Sequence, residues 1–127
     1  MTASVHPVAL PAEATSRTLG EHTAVVTSGS WFSAMSSGAF ADAAAEAHEQ
    51  GASDLVLDLT AVRAADAAGT ATLGALAEQL DVVGCQLAVA TTHPGLVAWL
   101  NSVPLDVDLP VHDTVEEALA DLLRRPV

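Results

Sequence analysis

Short apolar runs alternate with longer amphipathic segments along most of the chain. The period-two and continuous apolar runs predict strands at residues 5–10, 23–27, 54–59, 85–90 and 107–111. The helical spacing of apolar residues predicts helices at about residues 33–50, 69–83 and 94–101, and a last one after Thr114. The resulting order, β-β-α-β-α-β-α-β-α, predicts an α/β domain built on one sheet.

Residues that favour helix ends support these boundaries. Gly51 and Gly84 follow the first two predicted helices, where a glycine commonly ends the last turn. Asp66 lies just before the second helix, where a carboxylate can cap free N–H groups. Thr114 and Glu117 have the spacing of a capping box. Between the first two strands, the polar stretch around Arg17, Gly20 and Glu21 predicts a turn.

The second helix has two contrasting sides. Its predicted core stripe consists of Leu73, Leu76, Leu80 and Val83. The opposite side consists of Ala71, Gly74, Ala75, Glu78 and Val82. A solvated helix face is usually charged, whereas this one is small and mostly uncharged. Two interpretations stay open: a docking surface, or the general abundance of alanine in this chain.

Charge and composition exclude several classes of function. The chain has 127 residues, a formal net charge of -12 and only four cationic residues, all of them arginine. Without lysine there is neither a P-loop nor Schiff-base chemistry. Four scattered arginines make no basic face for nucleic acid. The length predicts a single domain over residues 1–127, with residues 1–17 as a candidate flexible segment.

The chain is expected to be soluble and cytoplasmic. The single Cys85 forms no internal disulfide, which fits a reducing compartment. The N-terminus lacks a basic residue ahead of an apolar core, so it does not resemble a signal peptide. The longest uncharged run, residues 82–105, is broken by polar residues, glycine and proline, so a membrane span is not expected.

Candidate catalytic and metal-binding residues are few. The five histidines have no metal-ligand spacing, and neither a metal nor a cofactor is expected. Cys85 opens an apolar strand, where an inert buried thiol is expected. Asp58 and Asp66 flank the loop at residues 59–65 and are the basis of an acid–base enzyme hypothesis. The alternative is that Asp66 is a helix cap, and this interpretation is preferred.

The stretch LVLDLTAVRAADAAGTATLGALAEQLDVVGCQLAVA, residues 55–90, resembles the core of the STAS domain family, the anti-sigma factor antagonists and their relatives. The family shows an apolar strand ending in Asp-Leu-Ser/Thr, then Asp-Ser-Ser/Thr-Gly opening a helix with a leucine stripe. The segments His93-Pro94 to Leu100, Leu109 to Val111 and Thr114 to Leu119 look like its closing pattern. The resemblance implies a four- or five-stranded mixed sheet, about four helices mostly on one face, and no enzymatic activity.

The chain departs from the family at its regulatory motif. The family often carries a Ser or Thr before the motif glycine, and a partner kinase phosphorylates it. The tetrad here is Asp66-Ala67-Ala68-Gly69, so both hydroxyl positions are alanine. Thr70, one residue later, is the candidate for a displaced phosphorylation site. The alternative is an ordinary threonine in the first turn of the helix.

The resemblance and the helix face together predict a protein-binding module that regulates transcription without the usual phospho-switch. The expected partners are a kinase-type anti-sigma factor, other STAS proteins or a second copy of the chain, with neither nucleic acid nor membrane insertion. The predicted partner-binding residues are Arg63, Asp66, Ala67, Ala68, Gly69, Thr70, Ala71, Gly74, Ala75 and Glu78. The alternative is a small STAS subunit beside a lipid-moving ATPase, because Ala68-Gly69 also resembles the Asp-Ser/Thr-Ala-Gly motif of such subunits.

Overall fold

A five-stranded mixed sheet forms the centre of the fold. The computed structural model describes residues 14–33, 36–102, 107 and 109–124. The strands of the described chain are β1 Ala14–Thr18, β2 Thr23–Ser28, β3 Trp31–Phe32, β4 Asp54–Asp58, β5 Ala64–Ala65, β6 Gln86–Ala90 and β7 Val111–His112. The helices are α1 Ser36–Glu49, α2 Ala67–Val82, α3 Pro94–Ser102 and α4 Val115–Arg124. The α/β fold class, the mixed sheet and the four helices are confirmed.

The main sheet has the order β1-β2-β4-β6-β7. β1 and β2 are antiparallel, and the remaining pairs are parallel. The central strands β4 and β6 are buried on both faces, which explains their uninterrupted apolar runs. β3 and β5 form a separate, two-stranded parallel sheet, in which Trp31 is opposite Ala64 and Phe32 opposite Ala65.

Each face of the main sheet has its own apolar core. Residues Val26, Leu57 and Val89 of one face pack in the same cluster as the buried side chains of α1, α2 and α3. The other face, with Val56 and Ala88, packs against Ala118 and Leu122 of α4. Three helices therefore cover one face and a single helix covers the other.

Several predicted boundaries differ from the structure. The expected strand at residues 5–10 lies outside the described residues. Arg17 belongs to the edge strand β1, whose outward side chains are exposed and can be polar, whereas Gly20 and Glu21 lie in the predicted turn between β1 and β2. The last strand is only Val111–His112, and Val107 lies in a bend. α1 begins at Ser36, because Trp31 and Phe32 of the preceding segment pair with β5 instead.

The core stripe of α2 ends earlier than predicted. Leu73, Leu76 and Leu80 are buried as predicted, whereas Val83 is exposed. Val83 lies beyond the last turn of α2, where its backbone leaves the helical path and Gly84 follows with φ of 85°. In the part of the chain that the structure describes, no helix combines the length and apolar character that crossing a membrane requires.

Candidate protein-binding surface at the start of α2

Asp66 fixes the start of α2. Its backbone is extended, with φ of −111° and ψ of 176°, and its Oδ1 accepts a hydrogen bond of 2.8 Å from the Gly69 N–H. This geometry is that of an N-cap, in which the side chain satisfies an N–H that the helix itself leaves unpaired. The capping role predicted for Asp66 is therefore confirmed. The cap also fixes where Ala67 and Ala68 lie, since they form the first turn.

Gly69 lets α2 approach β3 more closely than any other residue would. A Cβ atom at Gly69 would overlap the Phe32 carbonyl oxygen and lie only 2.9 Å from the carbonyl carbon. The contact is with backbone, which cannot rotate away as a side-chain tip could. The motif glycine is thus explained by close packing of the helix start on β3.

The segment from Arg63 to Asp66 is held along the backbone of β3. The Arg63 N–H donates to the Ser30 carbonyl at 2.7 Å, and the Asp66 N–H donates to the Phe32 carbonyl at 3.2 Å. Backbone hydrogen bonds of this kind leave the side chains free to face outward. Arg63 is exposed, and within the described residues no carboxylate lies at ion-pair distance from its guanidinium.

Trp31 is a prominent exposed residue that the sequence pattern did not predict to be functional. Its side chain is 61% exposed, while the next residue, Phe32, is fully buried. Phe32 packs edge-on against Phe40 with the ring centroids 5.5 Å apart. The Ser36 hydroxyl donates to the Trp31 carbonyl, so β3 is fixed from this side as well. The sequence signal was a tryptophan in a short segment rich in serine and glycine.

The structure exposes seven of the ten predicted binding residues, and Thr70 is half-buried. The residues with exposed side chains are Arg63, Asp66, Ala67, Ala68, Ala71, Ala75 and Glu78. Gly69 and Gly74 are buried, so the prediction that Gly74 lies on the outer side is wrong. The buried arc of α2 extends from the leucine stripe through Ala77 to Gly74, and a residue without a side chain is easily covered by its neighbours. We call the candidate surface that consists of Trp31, Arg63, Ala67, Ala68, Ala71 and Ala75 the docking surface.

The two threonines near the motif use their hydroxyls within the helix. Thr70 is half-buried, and its Oγ1 donates to the Ala67 carbonyl at 3.0 Å. Thr72 makes the same type of bond to the Ala68 carbonyl at 3.0 Å. These are ordinary bonds of helical threonines to the preceding turn.

Asp58 is engaged in hydrogen bonds within the fold. It is buried at the end of β4, where its Oδ1 accepts from the Thr60 N–H at 3.0 Å and from the Thr60 hydroxyl at 2.6 Å. Its Oδ2 accepts from the Thr27 hydroxyl at 3.1 Å. These bonds fix the turn that leaves β4, and Asp66 is engaged as a cap. Both carboxylates therefore stabilise the backbone that carries the docking surface.

The described residues hold neither a cluster of metal ligands nor a reactive thiol. No group of three or more metal-ligating side chains occurs among the residues that the structure describes. Cys85 is buried, and burial, together with the nearby charge of Asp54, raises the pKa of its thiol to about 12. The thiolate is thus strongly disfavoured, as expected for an inert thiol.

A family model for STAS domains, described as the Mlab STAS domain, matches residues 15–111. This range includes the main sheet except Ala14 and His112, and all of α2. The chain belongs to the STAS domain family. No curated protein sequence matches it significantly.

Solved structures support the same STAS fold at low sequence identity. A candidate anti-sigma factor antagonist from Thermotoga maritima matches with a TM-score of 0.73 and 14% identity, over 87% of this chain and 95% of its own. An anti-sigma factor antagonist from Mycobacterium paratuberculosis gives 0.71 and 21%, over 91% and 99%. The antagonist SpoIIAA in its unphosphorylated form gives 0.67 and 12%, over 89% and 99%.

Proposed function

We propose that this STAS chain is a non-enzymatic protein-binding module of the anti-sigma factor antagonist type. The observation that carries the proposal is the exposed Trp31 of β3, the strand that pairs with β5 directly before the α2 motif of a STAS fold. The partner would be a kinase-type anti-sigma factor, and the consequence would be regulation of transcription in the cytoplasm. The similarity to the antagonists supports this partner class.

The docking surface has the properties of an interaction hot spot. A large aromatic side chain on a rigid element can bury much apolar area at little entropic cost. Trp31 is fixed through β3, and the opposite residue, Ala64, has only a methyl group. The exposed alanines of α2 would allow a partner backbone to approach closely.

Binding would not depend on the usual phospho-switch. Ala67 and Ala68 carry no hydroxyl, so phosphate cannot be added at the two family positions. Binding would then be constitutive, or controlled through Thr70 as a displaced acceptor. Phosphate at Thr70 would require its hydroxyl to give up the donated bond to the Ala67 carbonyl.

The experiment is quantitative capture of partners from the native cell, with mass spectrometry of the bound proteins and of any phosphate on Thr70. Trp31→Ala and Ala71→Glu are each expected to lower recovery of the main partner at least about tenfold, a typical hot-spot effect. Leu123→Ala is the control, because Leu123 is 71% exposed but lies on α4, which packs on the opposite face of the sheet. Equal recovery with all variants would overturn the docking surface.

The second candidate is a STAS subunit beside a lipid-moving ATPase. The description of the matching family as the Mlab STAS domain, together with Ala68 before Gly69, supports this second candidate. The same capture experiment distinguishes the two: a sigma-regulating kinase supports the first proposal, and a transport ATPase supports the second. A second copy of the chain as the main bound species would instead indicate a homodimer.

A further inference from the structure

His93 joins the start of α3 to the docking surface. It directly precedes Pro94, the first residue of α3, and its side chain is half-buried. Its Nδ1 lies 3.2 Å from the Leu96 N, and its Nε2 lies 3.2 Å from the Arg63 carbonyl oxygen. The His93 N–H donates to the Thr91 hydroxyl at 3.1 Å, which fixes the backbone that carries the His93 ring.

The two partners assign the tautomer of this ring. The Leu96 N–H can only donate, so Nδ1 must be without a proton and accept. The Arg63 carbonyl can only accept, so Nε2 must carry the proton and donate. The neutral Nε2–H form therefore makes both bonds at once. A ring protonated on both nitrogens would place two donors against each other at Leu96.

We propose that His93 is a positioning residue for the docking surface, an inference that rests on the proposed function. The Arg63 residue is held from two sides, by its N–H on the Ser30 carbonyl and by its carbonyl on the His93 ring. Loss of the second bond would leave the segment from Arg63 to Asp66 attached only to β3. The backbone from which the exposed Arg63 side chain extends would then be held less firmly.

Two substitutions separate the two bonds of His93. In His93→Asn, the amide oxygen takes the place of Nδ1 and keeps the cap on Leu96, since asparagine is a strong N-cap, but the side chain is too short for Arg63. In His93→Gln, the amide nitrogen reaches the position of Nε2 and keeps the donor to Arg63, while the cap is weakened. A residue that acted only as a helix cap would make the Gln variant the poorer one in every measurement.

The test is amide hydrogen exchange by NMR on the full chain, which requires no partner. In His93→Asn, exchange at the Arg63, Ala64 and Asp66 amides is expected to be about fivefold faster than in wild type, the effect of one lost hydrogen bond. His93→Gln is expected to keep wild-type exchange at these amides relative to Ala118 of α4, which corrects for changes in global stability. Long-range nitrogen shifts of the wild-type ring should show the proton on Nε2.

Three results would overturn the proposal. They are a ring protonated on Nδ1, unchanged exchange at Arg63 in His93→Asn, and wild-type recovery in His93→Asn of the protein that the wild-type chain captures. Lower recovery with His93→Asn and restored recovery with His93→Gln would support it. The proposed function has its own test, and it is overturned if Trp31→Ala leaves recovery of the main partner unchanged.

Discussion

Gly69 shows how a single missing side chain shapes the candidate site. The start of α2 rests directly on the Phe32 carbonyl, so the site has no room for a methyl group. Elsewhere in a helix, replacing glycine by alanine normally stabilises because the backbone of the unfolded chain loses freedom. At this position the steric conflict with the backbone is expected to dominate.

Gly69→Ala should therefore destabilise the fold by about 1–3 kcal/mol, the typical cost of overpacking. The control is Gly38→Ala in α1, where no heavy atom lies within 4 Å of the added Cβ, and which should be neutral or stabilising by up to about 1 kcal/mol. Urea unfolding of both variants measures the difference. A Gly69→Ala protein as stable as wild type would contradict the close contact.

Cys85 makes the stability of the fold depend on pH, and its contribution can be measured separately from those of other groups. Burial raises the pKa of its thiol from 9.0 to about 12, so the folded state favours the neutral form. The stability from the neutral thiol is fully present below pH 9 and is lost as the pH rises toward 12. The chain has neither lysine nor tyrosine, so no other side chain with an ordinary pKa between 9 and 12 complicates the measurement.

We expect the free energy of unfolding to fall between pH 9 and pH 12, and we expect Cys85→Ala to remove most of that slope. Chemical denaturation at a series of pH values measures both proteins. The folded thiol should also react slowly with a thiol reagent at pH 8 and rapidly after denaturation. Equal slopes for the two proteins would show that the thiol is not responsible.

At the scale of the element, α2 depends on its first turn. Asp66 caps the helix, and the same carboxylate was the candidate for acid–base chemistry. The capping role needs only an oxygen acceptor, whereas general acid–base chemistry needs a group that titrates. The two roles therefore predict different responses to a neutral isostere.

Asp66→Asn is expected to keep nearly wild-type stability and partner binding, and Asp66→Ala to lose about 0.5–2 kcal/mol of stability. Thermal unfolding and the capture assay measure the two effects. Thr114 is a matched reference in α4, since its hydroxyl accepts from the Glu117 N–H at 3.1 Å, and Thr114→Ala should cost a similar amount. If Asp66→Asn abolished function while remaining folded, the role as a cap alone would be refuted.

At the scale of the whole molecule, the net charge of -12 sets the conditions for association. A basic partner would be attracted over about a Debye length, which is roughly 30 Å at 0.01 M salt and about 10 Å at 0.1 M. The attraction should act mainly on the association rate, because the docking surface itself is almost uncharged.

The association rate of the captured partner is therefore expected to fall about tenfold or more between these salt concentrations, with little change in the dissociation rate. Surface plasmon resonance measures both rates. Glu78→Gln, which removes an exposed acid next to the docking surface, should reduce the dependence on salt. An association rate that does not change with salt would contradict electrostatic attraction of the partner.

The sequence determined the parts of this fold that follow from local pattern. Apolar runs located β2, β4 and β6, helical spacing located the core stripe of α2, and Asp66 and Gly51 marked helix ends. Residues 55–90 also showed the resemblance to the STAS domain family. These features were predictable because burial and capping leave a periodic or short-range signature in the chain.

Only the tertiary structure added Trp31 to the docking surface and removed Gly74 from it. The β3–β5 pair has two residues per strand, too few to show a period, so neither this pair nor the exposure of Trp31 was predicted. The bond from His93 to Arg63 joins residues that are 30 positions apart in the sequence. Such contacts arise from packing between elements, and packing has no local pattern in the sequence.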